Sequence, residues 1–156
     1  MAEALLNDRG KGRFEAVSAG SFPKGTVHPL AIDTLRRNRI PAEHLRSKNW
    51  NELAEPGQPP IDFVFTVCDR AAREVCPIWP GHPMSAHWGV ADPALVQGSE
   101  EDKVRAFDRA CRELDNRIKI FTSLRLEALD RSTLQRELDR IGDTRAQIDP
   151  AKERTS

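Results

Sequence analysis

A parallel α/β fold in one domain is what this sequence predicts, and three observations carry the prediction. Amphipathic helical patterns alternate with short strand patterns, which is the signature of a parallel sheet flanked by helices. The run Ile61–Val67 is almost continuously apolar, β-branched and aromatic, as a strand buried on both faces requires. At 156 residues, 38% of them apolar, the chain has enough material for one hydrophobic core. Its 24 basic and 24 acidic side chains cancel, so no net charge steers it onto nucleic acid or an anionic membrane. Apolar stretches fall short of a membrane span and no signal-peptide core follows Met1, so a cytoplasmic location is expected. There is no internal repeat.

In chain order, Met1–Leu6 are strong helix formers with no capping residue ahead of them. Gly10 and Gly12 mark a turn, after which Phe14–Val17 alternates like a short strand ending at Ser18-Ala19-Gly20. Pro29 suits the first position of a helix running to about Arg39, with Ile32 and Leu35 facing inward. Pro41 stops it, and Glu55-Pro-Gly-Gln-Pro-Pro60 is a loop. Beyond the Ile61–Val67 strand, Asp69–Val75 can form a short helix, and Met84–Trp88 is a last strand. Ser99 caps a long helix whose first turn holds Glu100, Glu101 and Asp102, and Val104, Phe107, Cys111, Leu114, Ile118 and Phe121 line its inner face. A second helix carrying Leu134, Leu138 and Ile141 is expected to end at Gly142. The domain thus spans 1–142, followed by a polar, disordered tail over 143–156.

Chemistry concentrates after the Ile61–Val67 strand. Cys68 stands just beyond a strand's carboxyl end and at a helix start, where a thiolate is favoured; Arg70 and Arg73 would help and Asp69 would oppose. Cys76 follows eight residues later. If the intervening segment were helical, the two would lie roughly 12 Å apart along the axis, whereas a disulfide needs Cα atoms within roughly 7 Å. Joining them therefore requires the segment to unwind, which suits a redox switch; the plain alternative is two buried thiols without a role. Three cysteines make no disulfide framework. Cys111, on the apolar stripe, is structural. A zinc site from Cys68, Cys76, His82 and His87 is a further alternative, although its spacings match no compact finger. His28 and His44 are turn residues, and Trp50, Trp79 and Trp88 are packing groups. Asp92, held in a loop by Pro93, can protonate a leaving oxygen, or can simply form an Asp-Pro turn.

The stretch from Val64 to Ala94, with Cys68, Cys76-Pro, His87-Trp-Gly89 and Asp92-Pro-Ala94 in series, strongly resembles the thiol-dependent arsenate reductases of the low-molecular-weight protein tyrosine phosphatase-like family. Met1–Leu6, Ser18-Ala-Gly20 and the segment from Pro29 to Trp50 match in the same order, so the resemblance covers roughly residues 1 to 125. It implies a three-layer fold with a small parallel sheet between helices. It implies that Asp92 is the general acid, that Cys68 attacks a cysteine–arsenic adduct to release arsenite, and that Cys76 resolves the disulfide. No bound cofactor is implied, only an external thiol reductant: thioredoxin, or glutathione or mycothiol with a glutaredoxin-type protein. Ala94, where phosphotyrosine enzymes carry an aromatic after Asp-Pro, separates this reading from a phosphatase. A non-catalytic binding or zinc module is the remaining alternative.

Two departures from the resemblance set further expectations. Glu3 and Ser18 match two ligands of a potassium ion bound by some relatives, but Lys48 stands where a carboxylate belongs, so no potassium site is expected. The family's Cys-x5-Arg loop, which supplies the attacking cysteine, lies immediately before the residues matching Met1. The expectation is that a first strand and loop of about 15 to 20 residues are missing and that Met1 is internal to a longer protein, a truncated pseudoenzyme being the alternative. Such a chain would have no adduct for Cys68 to attack, would not reduce arsenate, and would have a split sheet with exposed edges.

Overall fold

The computed structural model describes residues 1–74 and 77–144 of the chain. Its elements are helices α1 (Ala2–Arg9) and α2 (Pro29–Arg37), strand β1 (Phe63–Thr66), helix α3 (Asp69–Arg73), strand β2 (Met84–His87), and helices α4 (Glu100–Ser123) and α5 (Arg131–Asp143). Strands β1 and β2 pair in parallel, with Phe63 opposite Met84 and Thr66 opposite His87. The fold class is therefore the expected one: a small parallel sheet flanked by helices, here two-stranded among the described residues.

Helix α4 organises the packing, lying against α1, α2 and α5, while α5 backs β2. Its start is fixed by a reciprocal capping box in which Ser99 and Asp102 satisfy each other's backbone N–H groups. The predicted inner face is buried from Phe107 to Phe121, and Cys111, Leu114, Ile118 and Phe121 join Leu5, Leu35, Trp88, Leu138 and Ile141 in one core. Phe121 is the hub. Its ring meets those of Phe14, Phe63, Phe65 and Trp88 at centroid distances of 4.9 to 5.6 Å, and Phe65 stacks on Trp88 at 3.8 Å.

Three expectations change. Phe14–Val17 forms no strand, because the amide and carbonyl of Ala16 are both taken by the Asn7 side chain, at 2.8 and 3.0 Å. A backbone unit satisfied by a side chain has no need of a strand partner. β1 is shorter than predicted and only partly buried throughout; the described residues cover it with β2 on one edge. Gly142 does not end α5, which continues to Asp143. A Cβ on Gly142 would lie 2.4 Å from the carbonyl oxygen of His87, so this glycine is required by the close approach of helix to strand. The expected tail over 143–156 falls, from residue 145 on, outside the described residues, as does Cys76.

Candidate active site

The parallel register carries the candidate residues to one edge. Beyond the last ladder pair, the Trp88 N–H donates to Thr66 O at 2.7 Å and the Val90 N–H to Val67 O at 2.9 Å. The loops leaving β1 and β2 are thus tied together for two residues before they separate, the first into Cys68 and the second towards Asp92. Crevices beyond the carboxyl ends of parallel strands are where α/β sheets hold ligands.

Cys68 is the N-cap of α3, in extended backbone, and its sulfur accepts from the Ala71 N–H at 3.4 Å. It is partly exposed. The helix that follows is five residues long and exposed on Asp69, Arg70 and Arg73. Arg70 pairs with Glu74 at 3.5 Å and sits 5.8 Å over the exposed ring of Phe22, while Ser21 donates to Glu74, so the Gly20–Pro23 loop is fastened to α3. Asp69 is held from the other side. Its Oδ1 lies 3.0 Å from His87 Nε2, and His87 Nδ1 lies 2.7 Å from Thr66 Oγ1.

Asp92 is exposed and caps a short 3-10 turn over Pro93–Leu95, its Oδ1 accepting from the Ala94 N–H at 3.0 Å. Pro93 supplies the fixed φ for that turn. Beside it opens a cleft of about 230 Å³, lined by His28, Pro93, Ala94, Gln97, Lys103 and Phe107 among others. His28 is the turn residue expected there, and it holds the turn in two ways. Its Nδ1 accepts from the Leu30 N–H as the N-cap of α2, and its ring packs against that of Phe107 at a centroid distance of 4.7 Å, tilted by 34°.

Cys111 is buried, and burial followed by the nearby Asp115 carboxylate pushes its thiol pKa up. Such a sulfur is a poor nucleophile. Cys111 and Arg117 do stand in Cys-x5-Arg spacing, but inside α4, where the backbone N–H groups are spent on the helix and cannot cradle an oxyanion. Among the described residues no cluster of three or more His, Cys, Asp or Glu side chains could hold a metal ion; the zinc alternative includes Cys76, outside them.

At Lys48 the structure gives the departure a geometry. The Lys48 ammonium, with its side chain 7% exposed, lies 3.7 Å from Glu3 Oε2, to which Ser18 Oγ donates at 2.5 Å. A protein cation thus occupies the neighbourhood of those two oxygens.

Sequence reasoning missed Arg117. It is 5% exposed and donates to the carbonyls of Trp88, Gly89 and Thr144 at 3.1 to 3.3 Å, with Nε unpartnered among the described residues. Its signal was legible: three residues after Leu114 and four before Phe121, it places a charge on the apolar stripe. Thr66 was legible only as a strand residue, and His87 as a strand residue, a candidate zinc ligand and part of the His87-Trp-Gly89 series, not as a partner of Asp69.

Residues 1–137 match the family described as low molecular weight phosphotyrosine protein phosphatase. Among curated relatives, the arsenate reductase of Oceanobacillus iheyensis is 43% identical over 69% of this chain and 74% of its own length. That of Halalkalibacterium halodurans is also 43% identical over the same shares, and that of Bacillus licheniformis is 33% identical over 78% of this chain and 84% of its own.

Proposed function

The chain belongs to the low molecular weight phosphotyrosine protein phosphatase family, and from that premise we propose that it is an arsenate reductase, an oxidoreductase of arsenic detoxification that works through thiols. The relatives named above support the substrate. The observation that carries the chemistry is the shared edge: one sheet register delivers Cys68 and the Asp92 loop from neighbouring strands.

In the proposed sequence, a cysteine thiolate displaces one oxygen from arsenate, and Asp92 protonates that oxygen as it leaves. The Cys68 thiolate then attacks the sulfur of the adduct. A disulfide forms, the sulfur–arsenic bond breaks, and its electron pair stays on arsenic, which departs as arsenite. Cys76 exchanges into that disulfide, releasing the first cysteine and leaving Cys68–Cys76 for an external dithiol to reduce, either thioredoxin or a glutaredoxin-type protein with a small thiol. The first thiol of this sequence is not Cys68, Cys76 or Cys111, since only Cys111 has an arginine six positions on and that pair is helical. The reaction is placed in the cytoplasm in this reading; no described helix is long and apolar enough to cross a membrane. Residues 1–142 are, in this reading, the part of the domain that carries Cys68, Cys76 and Asp92.

The test uses protein expressed from its native gene, with arsenate, a thioredoxin or glutaredoxin system, and NADPH oxidation as the readout. Arsenate-dependent turnover is expected, abolished by Cys68→Ser and lowered by about 10² to 10⁴ in Asp92→Asn. Rapid hydrolysis of p-nitrophenyl phosphate without any need for thiol, and no arsenite, would overturn the reading in favour of a phosphatase.

A further inference from the structure

Helix α5 lies along the edge of β2 that faces away from β1. The amides of Met84 and Trp88 donate to Asp62 O and Thr66 O, so alternation turns the carbonyls of Ser85 and His87 outward. A helix laid over such an edge closes it. The closure is made at successive points. Arg131 donates to His82 O at 3.0 Å, Gln135 donates to Ser85 O at 2.8 Å, and Leu138 O accepts from the indole N–H of Trp88 at 3.0 Å. At Gly142 the helix comes so close to His87 O that a Cβ would lie 2.4 Å from it. Arg117 of α4 completes the row, joining Trp88 O and Gly89 O to Thr144 O at the C-cap of α5. The Val90 N–H is held in turn by Val67 O, and only Ala91 then separates it from Asp92.

We infer that Arg117 is a positioning residue for Asp92: it locks the exit of β2 to the end of α5 and so sets where the Asp92 turn begins. The inference rests on the general-acid role proposed above for Asp92. Leu114, Ile118 and Phe121, its neighbours on the buried face of α4, are apolar, so the packing of that face does not call for a charge. Each hydrogen bond that Arg117 makes among the described residues goes to the junction. A general acid works only within hydrogen-bond reach of the oxygen it protonates, and a small misplacement slows the chemical step. Loosening the exit therefore lowers kcat and leaves the KM for arsenate in place.

The test compares the parent with Arg117→Met and Arg117→Lys, and uses Gln135→Ala as a control that weakens α5 at Ser85, away from the exit. Amide hydrogen exchange is read at Val90 against Phe121 in the core, and kcat and KM are read with arsenate in the thiol-coupled assay. In Arg117→Met, exchange at Val90 is expected to quicken about tenfold beyond any change at Phe121, with kcat about tenfold lower and KM within about twofold. Arg117→Lys keeps the charge but loses the fork, so about threefold is expected in both readouts; it decides the matter if the methionine variant does not fold. Equal acceleration at Val90 and Phe121 would make the role merely structural and overturn the inference. So would an unchanged kcat, or a Gln135→Ala effect at Val90 as large as that of Arg117→Met. A parent without arsenate-dependent turnover would instead overturn the proposed function and the catalytic half of the inference, and exchange at Val90 would still decide whether Arg117 fixes the exit.

Discussion

Replacing Phe121 by alanine should cost about 4 kcal/mol of stability, the middle of the range for emptying a buried phenylalanine site. The side chain is 1% exposed, and its ring is shared by Phe14 from the loop after α1, Phe63 and Phe65 from β1, and Trp88 from the end of β2. Four neighbours on three segments cannot all collapse into one cavity, so little of the loss is recovered. Against a domain stability of roughly 5–15 kcal/mol this is a large fraction. At a urea slope of about 2 kcal/mol/M it lowers the midpoint by about 2 M. Phe121→Leu keeps most of the volume and loses the aromatic edge contacts, so about 1.5 kcal/mol is expected. Equilibrium urea unfolding followed by tryptophan fluorescence reads both, Trp88 being 2% exposed in the native state. The reasoning fails if the alanine variant loses less than about 1 kcal/mol, or if leucine is as damaging as alanine.

Lys48→Ala should destabilise by about 3 kcal/mol, because Glu3 is left nearly buried without its cation. Added potassium chloride should then raise the melting temperature of this variant more than that of the parent, and equal salt responses would count against Lys48 as the cation of that site. Asp115 is pulled two ways: burial disfavours its charge, but hydrogen bonds from Arg9 and Lys119 together hold its pKa below the ordinary 3.8. Its folded pKa is depressed, so its contribution is fully present above pH 3.8 and fades as pH falls through the folded value. The stability gap between parent and Asp115→Asn, read by urea melts, should therefore be wide at neutral pH and narrow in strong acid. Iodoacetamide should modify Cys68 well before Cys111 in folded protein, and equal rates by peptide mass would refute the burial argument for Cys111.

Much of this architecture was legible because the strongest local signals agree with the tertiary contacts. Ser99 with three acids behind it, Pro29 at a first turn and the stripe from Phe107 to Phe121 each state an element and its buried face. The strand at Phe14–Val17 was misread because alternation is only permission to pair; the pairing capacity of Ala16 went to Asn7, nine positions away, which no periodicity records. Gly142 was misread for a related reason. A glycine near a helix end signals a cap, but here the deciding contact is His87 O, more than fifty residues distant. The site was legible in its residues and not in its supports. Cys68 and Asp92 stand at turns that their own neighbours announce, whereas Arg117 and the partners of His87 act through carbonyls and side chains brought close only by folding.

The supports explain how two exposed tips can stay in register. Asp92 and Asp69 face solvent, so neither is fixed by packing. What is fixed is the root from which both loops leave. Trp88 is buried, its indole N–H donates to Leu138 O at 3.0 Å, its backbone N–H donates to Thr66 O, and its carbonyl accepts from Arg117. The guanidinium has no acidic partner among the described residues, and a buried cation held only by carbonyl dipoles recovers less of its desolvation cost than one facing a carboxylate. Stability alone would favour an apolar side chain there. Position accounts for it better, because one planar fork reaches the two consecutive carbonyls of Trp88 and Gly89 and, across the core, that of Thr144 at the end of α5. The last two residues before the chain leaves for Asp92 are thereby tied to the two helices behind the sheet, and with the Val90 N–H held by Val67 O only Ala91 separates Asp92 from that fixed root.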